Sequence, residues 1–478
     1  MNILVLDVGT SSMRGTVLDD TAEKRWRGQI RYSPSYQENG WAEQSPEDWS
    51  GALRKLCASA VSACRIDAVA LTAQRSSLIP LRGDGTALRD AIMWQDTRNQ
   101  DVCERLRPWN DRIRELAGAG LNTVFSGGKM AWLREYEPEV YKNAAKLAVI
   151  PDYLIREMTG QFVTDHTYGS RSLLMDIRTR QWSPELADLF GLDEKKLCRL
   201  IPPSSVAGTI CGGFSRSTGL SEDVPVITCG GDQQCAALGQ GITGAGSAVI
   251  NLGTGAYLLA GIPSVPDRLP EGLICNAAAI PEQYILEASV LTCGSAVDWF
   301  LPDGDYAMVG QALRESPAGA RGVCALPYFQ GRSAPDWNSQ ARGAFCGLSL
   351  ETGRLDMLRA LLESIVIEVG RSLRSMEELQ PVESLSLSGG LSHTPEMRQL
   401  LADVTGKTVL YFADDEATTR GAWMSAAHRL GLTACWAEAW TQARPAECLE
   451  YEPSPEKTVL YARKAQQLEA LYRSIRNL

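Results

Sequence analysis

Val5-Leu6-Asp7-Val8-Gly9-Thr10 and Val249-Ile250-Asn251-Leu252-Gly253-Thr254 share one pattern: an apolar strand, an Asp or Asn, one more apolar residue, then Gly-Thr. A second apolar run comes directly after each, Met13 to Leu18 after Ser11-Ser12 and Ala256 to Ala260 after Gly255, so both read as β-hairpins. The pattern has moved from position 7 to position 251, about half of the 478 residues, which is the spacing of a duplicated domain. Short strings of this kind also arise by chance, so the duplication needs support elsewhere in the chain.

Alternation of elements supplies some of it. Residues 66–71 and 224–228 read as short buried strands, and Ser45-Pro46-Glu47-Asp48 opens a helix with Ser as cap and Pro at its first position. In the second half, helices at 355–379, 395–404 and 417–430 alternate with strands at 384–388 and 408–412. A last helix starts at Ser454-Pro455-Glu456, with Tyr461, Ala465, Leu468 and Leu471 or Tyr472 inward. Such alternation predicts an α/β protein whose sheets are covered on both faces. The length exceeds what one core organises.

Composition narrows the class of partner. The formal charge is −10 and no run of five basic residues occurs, which argues against nucleic acid and against a basic membrane surface. The first seven residues lack the basic region of a secretory signal, and no stretch approaches 18 apolar residues. The 13 cysteines are odd in number and form no C-x-x-C pair, fitting reduced thiols packed as small apolar residues in a cytoplasmic protein. His166, His393 and His428 are the only histidines and lie far apart, against a histidine metal centre.

Three glycine turns come directly after strands: Asp7-Val8-Gly9-Thr10-Ser11-Ser12, Asn251-Leu252-Gly253-Thr254-Gly255 and Ser388-Gly389-Gly390-Leu391-Ser392. Glycine admits a ligand close to the backbone, and exposed N–H and hydroxyl groups then satisfy phosphate oxygens. Neither a Walker A string nor a G-x-G-x-x-G in a βαβ unit is present. Asp7 and Asp232 stand at the ends of apolar strands. One suits Mg2+ beside a phosphate turn, and the other, among small glycines, suits a base for a substrate hydroxyl. Taken singly, either also fits a turn or a cap. Gln74-Arg75 and Trp94-Gln95-Asp96 offer the hydrogen bonds and flat face that a polyhydroxy compound wants, although Arg75 also fits a surface ion pair and Trp94 a core.

In this order the motifs resemble the FGGY carbohydrate kinases, the family of glycerol kinase and xylulokinase. The resemblance runs almost end to end, through Gly40-Trp-Ala-Glu-Gln-Ser-Pro-Glu-Asp-Trp49, Ala91-Ile-Met-Trp-Gln-Asp-Thr-Arg98, Phe125-Ser-Gly-Gly-Lys-Met-Ala-Trp132, Gly230-Gly-Asp-Gln-Gln234, Ala334-Pro-Asp-Trp337 and Glu416-Ala-Thr-Thr-Arg-Gly-Ala422. It implies two ribonuclease-H-like domains of the actin and sugar-kinase superfamily, here 1–242 and 243–478, with a catalytic cleft between them. It implies ATP and Mg2+ as cofactors. Thr10, Ser11, Ser12, Arg14, Thr254 and Gly255 fall at phosphate positions, and Gly294, Val297, Asp298, Gly390 and Thr394 at adenosine positions. Asp7 falls at the metal position, Asp232 at the catalytic base, and Gln74, Arg75, Trp94 and Gln233 at substrate positions.

Departures from the family bear on the substrate. Ser76 stands where a glycerol kinase carries Glu, Val124 where it carries Tyr, and the Gln-Met-His of xylulokinases is missing at Gln74. Asp298 and Thr394 likewise replace Gln and Asn on the adenine side. The expectation is a linear ketose or alditol of three to six carbons, a pentulose first, with glycerol or a tetritol as the alternative. A sugar- or nucleotide-sensing regulator on the same scaffold, or an actin-like ATPase, is the reading from another class, and a homodimer is left open.

Overall fold

A computed structural model of the chain describes residues 1–301, 304–333, 337–413 and 416–476. Ala334, Pro335 and Asp336 of the Ala334–Trp337 motif lie outside them. Strands β1 (Ile3–Val8) and β2 (Ser12–Leu18) form the expected hairpin, and β3 (Lys24–Arg31) extends it antiparallel. β4 (Ala68–Ala73) pairs parallel with β1, and β5 (Pro225–Gly231) parallel with β4, giving the order β5-β4-β1-β2-β3. Every residue of β4 is buried, as a strand covered on both faces must be.

The second half rebuilds this arrangement. β6 (Ser247–Leu252), β7 (Ala256–Ile262) and β8 (Tyr284–Val290) run antiparallel in turn. β9 (Ser384–Ser388) then pairs parallel with β6, and β10 (Val409–Phe412) parallel with β9. Within a seven-stranded sheet these five take the order β10-β9-β6-β7-β8. Asp7 lies beside Thr72 of β4, and Asn251 occupies the equivalent place beside Ser388 of β9. The short string repeated in the sequence therefore marks a repeated ribonuclease-H-like sheet.

Helices cover the outer faces much as the spacing predicts. Pro46–Ala63 buries Trp49, Leu53, Leu56, Cys57 and Ala60, and Arg354–Glu377 buries Leu358, Leu361, Leu362 and Ile365. In the last helix, Pro455–Ile475, Tyr472 rather than Leu471 is buried. Six cysteines are buried as expected, but Cys346, Cys435 and Cys448 are exposed. Among the described residues no helix is long and apolar enough to cross a membrane.

Two helices cross each other between the sheets' residues, α1 (Asp232–Leu238) and α2 (Ala417–Arg429). α2 comes from the far end of the chain yet packs Ala422, Trp423 and Ala426 with Ile3, Val5, Ala68, Ala70 and Ile227 of the first sheet. The Trp423 indole is fully buried and donates from Nε1 to the Asp19 carbonyl oxygen at 2.9 Å. α1 faces both ways: Cys235 and Leu238 join that cluster, while Ala237 packs with Val249, Leu259 and Ile285 of the second sheet. Where the helices meet, a Cβ on Gly239 would overlap the Ala417 carbonyl, and one on Gly421 the Cys235 carbonyl. Small residues are what allow this approach. Gly421→Ala is expected to destabilise the chain by about 1–3 kcal/mol, the usual cost of overpacking, read as a lower urea midpoint. An unchanged midpoint would mean that the helices have room to separate.

Candidate active site

Val8, Ala73 and Gly231 sit side by side in the register of three parallel strands. The residues next in sequence emerge together at one edge, the carboxyl end of the parallel strands, where open α/β sheets bind ligands. They are Gly9-Thr10, Gln74-Arg75 and Asp232. A bulge sets the last of these. Thr228 pairs with Leu71 but Gly230 with Thr72, leaving Cys229 as the extra residue that re-aims the strand end. Gly230, at φ +100°, has its carbonyl held by the Thr72 and Tyr168 hydroxyls, both at 2.8 Å, and the Gly231 N–H donates to Thr167 Oγ1 at 2.9 Å. Asp232 thus opens α1 from a rigid turn, with the Gln233 N–H donating to its Oδ1 at 2.8 Å.

Arg75 lies across this turn. Its Nε is 3.7 Å from Asp232 Oδ1, and its Nη1 donates to Glu287 Oε1 at 2.8 Å and to Gln234 Oε1 at 3.3 Å. Arg171 approaches the other Glu287 oxygen at 3.4 Å. Two arginines therefore face two carboxylates, one on each sheet's side of the site. Burial pushes the Asp232 carboxyl up, and Arg75 opposes that shift. Burial acts likewise on Glu287, but Arg75 and Arg171 hold it below the ordinary range. Asp7 is pushed up to about 6 by burial, reinforced by Asp232 and opposed by Arg14, whose Nη1 is 4.0 Å away.

On the other flank, Trp94 donates from Nε1 to Thr10 Oγ1 at 3.1 Å, Thr10 Oγ1 lies 3.4 Å from Gln74 Oε1, and Gln74 Nε2 donates to the Gly9 carbonyl at 3.2 Å. Trp94 is half-exposed, so its face is presented. Its sequence neighbours are not: Gln95 Nε2 donates to Tyr36 at 3.0 Å, and Asp96 is buried under Arg98 and the Ala42 N–H. Of that expected trio only Trp94 reaches the site. Ser76 is buried at φ 72°, with Oγ donating to the Arg171 carbonyl at 3.1 Å, so its hydroxyl turns away from the cleft. Val124 is half-buried against the neighbouring core.

The two glycine turns expected at phosphate positions each follow the first strand of their sheet's hairpin. Ser11 is exposed, Ser12 Oγ accepts from Gln29 at 2.9 Å, and Thr254 is exposed. The turn at Thr254-Gly255 is fixed to the helix Gly294–Phe300, since Cys293 N and Ser295 N donate to the Thr254 carbonyl and Gly294 N to that of Gly253. A Cβ on Gly294 would lie 2.7 Å from that Gly253 oxygen. Asp298 is exposed and accepts from Tyr306, whereas the Val297 side chain is fully buried and supports the wall from behind. Gly390 is exposed and Thr394 half-buried after β9.

Two family models match the chain in tandem: the N-terminal domain of the FGGY family of carbohydrate kinases over residues 2–239, and its C-terminal domain over 248–430. The chain belongs to the FGGY family of carbohydrate kinases. It is an ATP-dependent phosphotransferase acting on a small-molecule carbohydrate or polyol. Among its relatives, a glycerol kinase of Methylibium petroleiphilum is 34% identical over 461 residues, covering 90% of this chain and 91% of that one. The glycerol kinase of Plasmodium falciparum, solved with ADP, superposes with a TM-score of 0.90 at 25% identity over 100% of this chain and 99% of that one. A xylulose kinase from Rhodospirillum rubrum gives a TM-score of 0.93 at 24% identity over 100% and 99%, a likeness of fold.

Sequence reasoning did not single out Glu287, Arg171, Gln234 or Tyr168. A signal existed for Glu287, the single charge in the strand Tyr284–Val290. Gly231 gives the site a sharp test, because a Cβ there would lie 2.6 Å from Arg75 Cδ and 2.6 Å from Gln234 Oε1. Gly231→Ala is expected to lower kcat/KM at least about tenfold with an unchanged far-UV spectrum, since a displacement of about 1 Å in a positioning group costs rates of that order or more. Normal kinetics would show that Arg75 need not lie where it does.

Proposed function

We propose that the kinase transfers the γ-phosphoryl group of MgATP to a hydroxyl of an open-chain ketose or alditol of four to six carbons, a pentulose first, with Asp232 as the base. The observation carrying this reading is the approach of Arg75 to Asp232 at the shared end of three parallel strands. The acceptor hydroxyl meets Asp232 from the open side of this pair and gives its proton to the carboxylate. Its oxygen forms the new bond to the γ-phosphorus as the bond to the β–γ bridging oxygen breaks, and ADP leaves. Gln74, Arg75, Trp94 and Gln233 orient the acceptor. Thr10, Ser11, Ser12, Arg14, Thr254 and Gly255 bind phosphate oxygens, while Gly294, Asp298, Gly390 and Thr394 border the adenosine, with the Val297 backbone behind. The division falls at 242/243, with acceptor and base on the first domain and nucleotide on the second.

Mg2+ fits the residues present. Asp7 is a crowded, desolvated carboxylate beside a second one, and no cluster of three or more protein ligands exists among the described residues. A hard cation that takes one carboxylate and completes its shell with water and phosphate oxygens suits that donor set. When bound it neutralises phosphate charge, and Asp7 would hold it. We also read the protein as cytoplasmic, in keeping with its unpaired thiols.

Two positions bear on the chain length of the acceptor. The Ser76 hydroxyl is occupied by the Arg171 carbonyl, and Val124 brings neither a hydroxyl nor bulk. Fewer anchors remain for a three-carbon substrate, and an unpaired buried polar group costs about 1–3 kcal/mol. Glycerol is the second reading, favoured by the glycerol kinases among the relatives and by the Gln74-Arg75 and Trp94 arrangement. The test is a steady-state panel of glycerol, erythritol, D-xylulose, L-xylulose and D-ribulose with saturating MgATP. A longer acceptor is expected to exceed glycerol at least about tenfold in kcat/KM. Glycerol as best substrate would establish the second reading.

Asp232→Asn is expected to lower kcat by about 10²–10⁴-fold with ATP affinity near normal, as measured by calorimetry. A base works only when deprotonated, and the Asp232 carboxyl is raised, foremost by burial. In wild type kcat/KM should therefore fall as pH drops, through a midpoint above the ordinary carboxylate range. A variant keeping more than roughly a tenth of the activity would remove Asp232 from this role.

A further inference from the structure

Glu287 is the single charged side chain of β8, between Leu286 and Ala288 in a strand otherwise composed of Tyr, Ile, Leu, Ala, Ser and Val. The strand belongs to the second sheet, yet the carboxylate reaches the first half of the chain, 2.8 Å from Arg75 and 3.4 Å from Arg171. All three side chains are largely buried. We propose that Glu287 is a positioning residue for the acceptor substrate, holding Arg75 from across the interdomain cleft in the place from which it meets that substrate. This rests on the reading of Arg75 as an acceptor contact.

Stability alone gives a poor account of the arrangement. Desolvating a buried ion pair often costs as much as its attraction returns, and apolar residues of similar size frequently do as well. Geometry accounts for it better. Arg75 points Nε toward Asp232 and gives Nη1 to Glu287 and Gln234, while Nη2 takes no hydrogen bond among the described residues. One donor of a fixed planar fork is thereby left for a ligand, and its direction is set by the carboxylate at the other end. Arg171 secures the second Glu287 oxygen and itself rests 4.5 Å above the Phe125 ring, so Glu287 cannot swing toward one arginine without leaving the other. Because Glu287 and Arg75 come from different halves of the chain, acceptor affinity depends through one carboxylate on the second half as well as the first.

The test is steady-state kinetics on the intact chain with MgATP and whichever of glycerol, erythritol, D-xylulose, L-xylulose and D-ribulose the wild type phosphorylates fastest. Glu287→Gln keeps the shape and removes the charge. It is expected to raise the acceptor KM at least about tenfold and leave the ATP KM near wild type, with some loss of thermal stability because two buried arginines lose their shared partner. Glu287→Asp, which restores the charge on a shorter arm, should recover part of the loss. It carries the same comparison if Glu287→Gln does not fold. Arg75→Gln raises the acceptor KM as well, and the double variant is no worse than Arg75→Gln alone, because Glu287 acts through Arg75. Fully additive losses, or acceptor and ATP KM rising together, would overturn the proposal. An unchanged acceptor KM in Glu287→Gln beside a raised one in Arg75→Gln would overturn it alone. An unchanged KM in Arg75→Gln would overturn it together with the reading of Arg75 beneath it.

Discussion

Two peptide backbones cross at the centre of this molecule with no room for a methyl group between them. At the crossing of Asp232–Leu238 with Ala417–Arg429, Gly239 and Gly421 each approach a carbonyl of the opposite helix. Much else depends on it. The first helix begins at Asp232 and carries Ala237 onto the second sheet. The second helix buries Trp423 against the first sheet and ties residues more than 400 positions apart through its bond to Asp19. Both helices therefore pack on the first sheet, and the first helix also reaches the second sheet through Ala237.

The charges of the site stem from the same architecture. Parallel strands ending level bring Asp7, Gln74, Arg75 and Asp232 to one edge, and the second sheet adds Glu287 from above. Burial raises Asp7, with Asp232 adding to the shift, while Arg75 and Arg171 hold Glu287 below the ordinary range. Phosphoryl transfer draws mainly on positioning and charge. A site in which each charged group is held by a bulge, a glycine or an ion pair meets that demand.

Much of this is legible in the sequence. The Asp7 and Asn251 hairpins, the strands ending in Gly230-Gly231 and Gly389-Gly390, and the amphipathic helices at 46–63 and 354–377 all carry strong local signals, in apolar period and in glycine placement. β3 is not legible. Its residues Lys24 to Arg31 alternate charge with Trp26, Gly28 and Ile30 on an edge, and half of it faces water. The bulge at Cys229 is also hidden, because a one-residue register shift leaves no mark in composition. Gln95 and Asp96 mislead for a related reason. Polar residues after a buried segment look offered to a ligand, and only the fold shows Asp96 spent on Arg98 and Ala42. The partner of Arg75 comes from a strand far along the chain, and pairing at that distance is a tertiary fact.

The proposed function requires two halves, joined at one tight crossing, to close over acceptor and nucleotide. Small-angle X-ray scattering tests this most directly, on the protein alone and with its best acceptor plus a nonhydrolysable ATP analogue at saturation. Closure predicts a smaller radius of gyration and a shorter maximum dimension with both ligands bound. Superimposable profiles under saturation would contradict it, because the two halves would then already stand at their working separation.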